Sequence, residues 1–294
     1  GLLGASCLEL NGSDEYAKSA SFEDDRNTAN NGDFTIEFWF KRASELSSDE
    51  YIFDLTTGSN NNNRHSLSIR TTNDDGITWN SFTNTPEEQP NLTTNTKQLD
   101  DGKWHHLAAV FYGTGGAYSG TYANGAKAMY IDGKLDAFVE GGAGGAANCQ
   151  FTQGTSMYIT LGRDENGDDN YFTGNIDEVR MWSDVRTEAE IRTNMFSEVA
   201  ADADHLRHQW SCNAGTGTTN AITDSATDAE GEAHLTVNLT LSDAGGWAGA
   251  GTFTATSAYV NLSGTGTVRH ADGTINLSAS TGNLAGLYAS NSAI

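Results

Sequence analysis

Acidic side chains dominate the ionisable groups of this 294-residue chain, 39 Asp and Glu against 16 Lys and Arg, so carboxylate chemistry comes first. Double-displacement hydrolysis of a glycoside needs two carboxylates about 5–5.5 Å apart. A strand supplies them as a Glu-x-Asp-x-x-Glu run with its acids on one face, and the chain contains no such run. Glu37 stands alone in its segment, while Asp177 and Glu178 are neighbours and so point to opposite faces of a strand. Gly-x-Ser-x-Gly, Cys-x-x-Cys, His-Glu-x-x-His and phosphate-loop patterns are absent as well. The residues therefore argue against an enzyme.

Metal chemistry has one candidate that the residues alone suggest. Asp164, Asn166 and Asp168 place oxygen ligands at the first, third and fifth positions of a loop, as a calcium-binding EF-hand loop does. Position six is Asp169 where that loop needs glycine, and position twelve is Asn175 where it needs glutamate, so a complete EF-hand is excluded. A shallower structural calcium site is what remains. His105 and His106 are adjacent on a strand pattern and cannot chelate one ion, and His205 and His208 flank a strand-like segment ending at Trp210.

Ligand binding by stacking would use aromatic rings outside the strand pattern. Trp79, Phe82, Tyr118, Tyr122, Tyr171 and Trp247 fall in or near loops and are the candidate ligand contacts. Trp39, Trp104, Trp182 and Trp210 fall within strands and are expected to pack.

The elements that must position these residues are short strands. Phe34, Ile36, Phe38 and Phe40 alternate with Thr35, Glu37, Trp39 and Lys41, a period-two strand. Residues 66–71 and 77–82 flank Asn73-Asp74-Asp75-Gly76 and read as a hairpin. Trp104, His106, Ala108 and Val110 share one face of the next strand. Asp132-Gly133 suits a type I′ hairpin turn. The strand 157–162 leads into the acidic loop just described. One helix stands apart: Thr187-Glu188-Ala189-Glu190 is a capping box, followed by Ile191, Met195 and Val199 on one apolar stripe. With 33 glycines and 2 prolines, the composition suits many strands and tight turns.

Four segments occur in an order that resembles the laminin G-like (concanavalin A-like) jelly-roll family: Trp104-His105-His106, Tyr130-Ile131-Asp132-Gly133-Lys134, Leu161-Gly162-Arg163 and Gly174 through Met181. The stretches at 7–19 and 34–44 are similar to the family's opening strands, and 208–236 to the segment that follows its helix. Cys212-Asn213-Ala214 replaces the Phe-Asp-Glu usual there. The resemblance implies an all-β fold: a two-sheet antiparallel jelly-roll sandwich with one short helix over residues 1–250, and a β-rich tail over 251–294. It also implies a second calcium site, formed by Asn11 to Asp14 in the opening turn and Asp177. Phe34, Ile36, Phe38, Phe40, Leu107, Val110, Ile159 and Leu161 form the expected core.

The tail repeats a hydrophobic-Asn-Leu-Ser/Thr unit, first seen at Val237-Asn238-Leu239-Thr240 and again at 260–263 and 275–278, with irregular spacing. It carries too few large apolar residues for a core of its own, and its unpaired strand edges predict a role in assembly into a homo-oligomer. Cys7, Cys149 and Cys212 are three, and no structural disulfide is expected. A net charge of −23 repels phosphate backbones and speaks against nucleic-acid binding. No apolar run is long enough to span a membrane. The chain opens on Gly1, which reads as either a processed end or a fragment end.

Three functions fit unequally. The foremost is a noncatalytic glycan-binding or adhesion module of an extracellular or virion-surface protein, whose partner is a glycan or a cell-surface receptor. The alternative is a purely structural subunit of a virion, tail fibre or surface filament. A glycoside hydrolase or lyase is disfavoured by the missing carboxylate run.

Overall fold

A computed structural model describes residues 6–23, 32–42, 49–56, 66–71, 76–82, 91–113, 125–140, 156–164, 170–213, 221–227, 237–241 and 246–249. The expectations for Tyr118, Tyr122, Asn166, Asp168, Cys149 and the tail 251–294 lie outside them. The first half of the chain contributes β1 (Ser6–Asn11), β2 (Ala17–Ser19), β3 (Phe22–Glu23), β4 (Phe34–Arg42), β5 (Tyr51–Thr56), β6 (Ser66–Thr71), β7 (Ile77–Phe82), β8 (Leu92–Thr93) and β9 (Trp104–Phe111). The second half contributes β10 (Lys127–Ile131), β11 (Lys134–Val139), β12 (Ser156–Leu161), β13 (Thr173–Trp182), α1 (Glu188–Asn194), β14 (Leu206–Trp210), β15 (Ala221–Ile222), β16 (Leu239–Leu241) and β17 (Gly246–Gly249).

These strands form two antiparallel sheets. One runs β11-β10-β9-β4-β13-β1-β17, with β14 also paired to β13; it has eight strands. The other runs β15-β16-β2-β12-β5-β6-β7-β8, with β3 also paired to β12; it has nine. Because side chains alternate, each sheet presents one apolar face to the other. Phe34, Ile36, Phe38, Phe40, Leu107, Ile159 and Leu161 meet there, together with Phe53, Ile69, Trp79, Phe111 and Trp210. Val110 is the exception to the expected core. It lies on the opposite face of its strand with Ala108, in a cluster with Tyr130 and Ile191, because the helix covers that outer face.

The helix forms as the sequence predicts. Thr187 accepts a hydrogen bond from the Glu190 amide, and the Glu190 carboxylate accepts from the Thr187 amide, closing the capping box. Ile191 and Met195 are buried, and Val199 packs against a small cluster of Trp182, Leu206 and Ala226. Arg180 fastens the far end, donating to the carbonyls of Asn194 (3.0 Å) and Ser197 (2.8 Å), which a helix C-terminus leaves without partners.

Gly174 marks a close approach of strands: a Cβ there would strike the Lys41 carbonyl and the Phe172 ring. Asp132 and Gly133 both take positive φ, 50° and 72°, as a type I′ turn requires. Cys7 and Cys212 are buried thiols outside any disulfide, and burial pushes both pKa values up.

Candidate functional site

The strand ends converge at one end of the sandwich: β1 and β12 finish there, β5 and β13 begin there, and β6 finishes there. Tyr51 opens β5 and pairs with Tyr171 through an isolated bridge, its amide donating to the Asn170 carbonyl at 3.1 Å. The Tyr171 ring lies 6.4 Å from that of Tyr16. The Arg163 guanidinium covers Tyr16 at 3.8 Å, and Arg70 lies 6.0 Å from the Tyr51 ring. The result is a half-buried row, Arg163–Tyr16–Tyr171–Tyr51–Arg70, along the rim. Beneath it Glu50 and Arg42 form a buried ion pair at 3.3 Å, and Thr173 donates to Glu50 at 3.2 Å. Burial pushes the Glu50 carboxyl up, against the opposing pull of Arg42. This pair fixes the strand on which Tyr51 stands.

The face of the nine-stranded sheet turned away from the core is polar and buried. Cross-strand register aligns Thr240, Lys18, Thr160, Asp54, Ser68 and Asn80 in one row across six strands. Asp54, Thr56 and Thr160 have no exposed surface, and Asn80 almost none. The hydroxyls of Thr56 and Thr160 and the carbonyl oxygen of Asn80 have no hydrogen-bond partner. Tyr158 lies on the same face, with Lys18 4.7 Å from its ring.

Carboxylates are sparse on that face. Among the described side chains Asp54 is the acid on that face.

The structure separates several residues that the sequence grouped. Trp79 is no loop residue: it alternates with Thr78 and Asn80 on β7, shares the core face with Ile77, and is fully buried. Phe82 ends the same strand, paired in register with Ser66. Trp247 lies in β17, opposite the core residue Leu8. Of the two aromatic candidates whose side chains are described, Trp79 is in the core and Tyr171 is at the rim. Tyr16, Tyr51 and Arg163 were missed. The available signal was Tyr51 beginning a strand directly after an acidic turn, and Arg163 directly after the glycine of the Leu-Gly-Arg segment.

The opening-turn calcium set does not assemble. Asn11 and Asp14 bond each other at 2.9 Å, and the Asn11 carbonyl oxygen accepts from the Ser13 and Asp14 amides. The register pairs Asn11 with Thr173, which puts Asp177 four residues further along β13, about 13 Å away. Asp177 is buried and accepts from the Glu178 amide at 3.1 Å. These donors do not fit one ion. Asp164 is buried at the rim, its proposed partners Asn166 and Asp168 lie outside the described residues, and no cluster of three His, Cys, Asp or Glu residues suited to a metal occurs among the described residues.

Residues 11–192, more than half of the chain, match the laminin G family model described as the concanavalin A-like lectin/glucanases superfamily. The chain belongs to this superfamily. A candidate carbohydrate binding protein from Bacteroides ovatus shares the fold at 17% identity and a TM-score of 0.54, over 84% of this chain and 60% of that one. A heptameric pentraxin from Limulus polyphemus aligns at 15% identity and a TM-score of 0.46, over 65% of this chain and 82% of that one. The Mus musculus sushi, von Willebrand factor type A, EGF and pentraxin domain-containing protein 1 is 27% identical over 103 residues, 34% of this chain and 3% of that protein. The chain thus spans less than two thirds of the Bacteroides protein and a small fraction of the mouse one.

In this lectin/glucanase-type domain the two histidines of the Trp-His-His segment do different work. His106 is buried under α1, and burial lowers its pKa to about 4, so it is neutral. His105 sits at the sheet end between Asp132 (3.0 Å) and Asp101 (3.2 Å), tying the β10–β11 turn to the loop before β9. Its bond to Asp132, reinforced by Asp101, raises its pKa above the ordinary 6.5. A histidine whose pKa is raised by folding stabilises the fold fully below its unfolded value and loses that contribution as pH rises through the folded value. His105→Gln is therefore expected to lower the melting temperature most below pH 6.5 and progressively less above it. A pH-independent difference between the two proteins would remove the ionic character of this tie.

Proposed function

We propose that this domain is a noncatalytic glycan-binding module of a secreted or surface-exposed protein, and that it contacts its glycan along Tyr16, Tyr51 and Tyr171. The observation that carries this reading is the grouping of half-buried Tyr16, Tyr171 and Tyr51 at the sandwich end, the first two in ring contact and the last two paired through the backbone. Aromatic faces stack on the C–H faces of sugars, and the flanking guanidiniums offer hydrogen bonds to hydroxyls. Superfamily membership and the fold shared with a candidate carbohydrate binding protein support the same reading. No helix among the described residues is long and apolar enough to cross a membrane, which accords with an extracellular domain. The tail 251–294 is proposed as the segment that joins copies into an assembly.

A glycan array followed by titration calorimetry tests the site. Tyr51→Ala and Tyr171→Ala are each expected to weaken binding about tenfold, as loss of an aromatic anchor does, with little change in melting temperature. Wild-type affinity in both variants would move the site elsewhere on the domain. Reducing ends released from a polysaccharide panel, and abolished by Asp54→Asn, would make it a hydrolase.

A further inference from the structure

We propose that the rim selects a glycan bearing a carboxylate, with Arg163 as the residue that reads the charge. This rests on the glycan-binding reading above and narrows it to a ligand class.

The net charge is −23, and most of the described arginines have an acidic neighbour. Among the described residues Arg42, Arg70, Arg180, Arg186 and Arg192 each lie within ion-pair distance of a carboxylate. Arg163 does not. Its guanidinium lies over the Tyr16 ring at 3.8 Å, and its Nε is buried without a hydrogen-bond partner. Asp164, next in the chain, is buried. A guanidinium resting on an aromatic ring is held in place while its N–H edge stays open to an acceptor in its own plane.

The local backbone builds this arrangement. Gly162 takes φ +91°, a conformation that side chains resist, and a Cβ there would strike Leu10. The turn at Gly162 ends β12, and the next residue, Arg163, lies against Tyr16. Tyr171 continues the row 6.4 Å beyond. A sugar ring stacked on the tyrosines and carrying an exocyclic carboxylate presents two oxygens to a planar fork of donors. That is the bidentate match that distinguishes arginine from lysine as a carboxylate receptor. Arg70 at the other end of the row is already bound to Asp49 at 2.5 Å, so the charge selection falls to Arg163.

Titration calorimetry on the full chain with matched pairs of probes tests this: tetragalacturonate against the neutral galactotetraose, and sialyllactose against lactose, with a sulfated galactan tetrasaccharide as the third arm. The charged member of at least one carboxylate pair is expected to bind tenfold tighter or more, as charge-assisted hydrogen bonds warrant. The pair that responds tells a uronate polysaccharide from a sialylated glycan. Arg163→Gln is expected to abolish the preference while leaving neutral-sugar affinity within about twofold, and Arg163→Lys to restore only part of it; a matching melting temperature shows that each variant is folded. Equal affinity for charged and neutral probes, or an equal loss of both in Arg163→Gln, overturns the proposal and leaves the glycan-binding reading standing. A preference for the sulfated probe over both carboxylates also overturns it. Binding to none of the probes overturns this proposal and counts against the reading beneath it.

Discussion

Replacing Arg180 with alanine is expected to cost about 3–5 kcal/mol of folding stability, the usual price of leaving buried charges without their partner. Arg180 is 1% exposed. Its guanidinium pairs with Glu178 at 3.0 Å and Glu37 at 3.5 Å, and it holds the carbonyls of Asn194 and Ser197 at the end of α1. Glu37 is committed in turn, accepting from the Trp182 indole at 3.0 Å. Alanine strands two buried carboxylates and frees the helix end together. A domain of this size should melt roughly 10 °C lower. The pH trend is a second signature. Burial already pushes the Glu178 carboxyl up, with Arg180 opposing, and without Arg180 the rise is larger. A carboxyl whose folded pKa exceeds its unfolded one gains stability as pH falls, so the deficit of Arg180→Ala should shrink between pH 7 and pH 5. Arg180→Lys keeps the charge but not the fork, and should fall between the two. A loss below about 1 kcal/mol with no pH trend would show that the network is not under tension from burial.

This network also explains why the Ile-Asp-Glu-Val-Arg segment was legible as fold and illegible as function. Its acids attract attention as catalytic candidates, yet a bulge between Asp177 and Arg180, with Glu178 at φ 51°, turns the Glu178 carboxylate toward Arg180. Strand periodicity reports which residues alternate but not where a bulge resets the alternation. The capping box of α1 was fully readable because all its bonds lie within four residues. The two-sheet order was readable only through resemblance, since β4 pairs with β9 and β13 across long separations that local pattern does not encode.

The rim was the least legible part. Tyr16, Tyr51 and Tyr171 are separated by 35 residues or more in sequence and meet because β1, β5 and β13 reach the same end of the sandwich. No spacing rule links them. Arg163 belongs to the Leu-Gly-Arg segment, yet its lack of an ion pair among the described residues is a property of the fold that local spacing does not encode. The proposed Asn11, Asp14 and Asp177 cluster failed for the converse reason: the residues were right for oxygen ligation, but the β1–β13 register keeps them four residues apart.

Trp79→Ala should be as damaging as Arg180→Ala, about 3–5 kcal/mol, because deleting a buried tryptophan removes its transfer energy and leaves a cavity. Read as a loop aromatic, Trp79 would be a ligand contact whose removal spares stability. The structure places it instead between the sheets, fully buried, with the Phe34 ring 6.1 Å away and the Lys127 ammonium 5.3 Å from its own ring. Its strand partners are Ile69 and Leu92, both in the core. The indole N–H has no acceptor, so phenylalanine loses volume and the contact with Lys127 but no hydrogen bond. Trp79→Phe should therefore cost far less than alanine, and remain folded at temperatures where alanine does not. Titration of Trp79→Phe with the glycan that wild type binds should give unchanged affinity, while Tyr51→Ala, equally well folded, loses about tenfold. Intact stability with lost binding in Trp79→Ala would return Trp79 to the ligand surface and invert the inner and outer faces assigned to β7, taking Thr78 and Asn80 into the core with it.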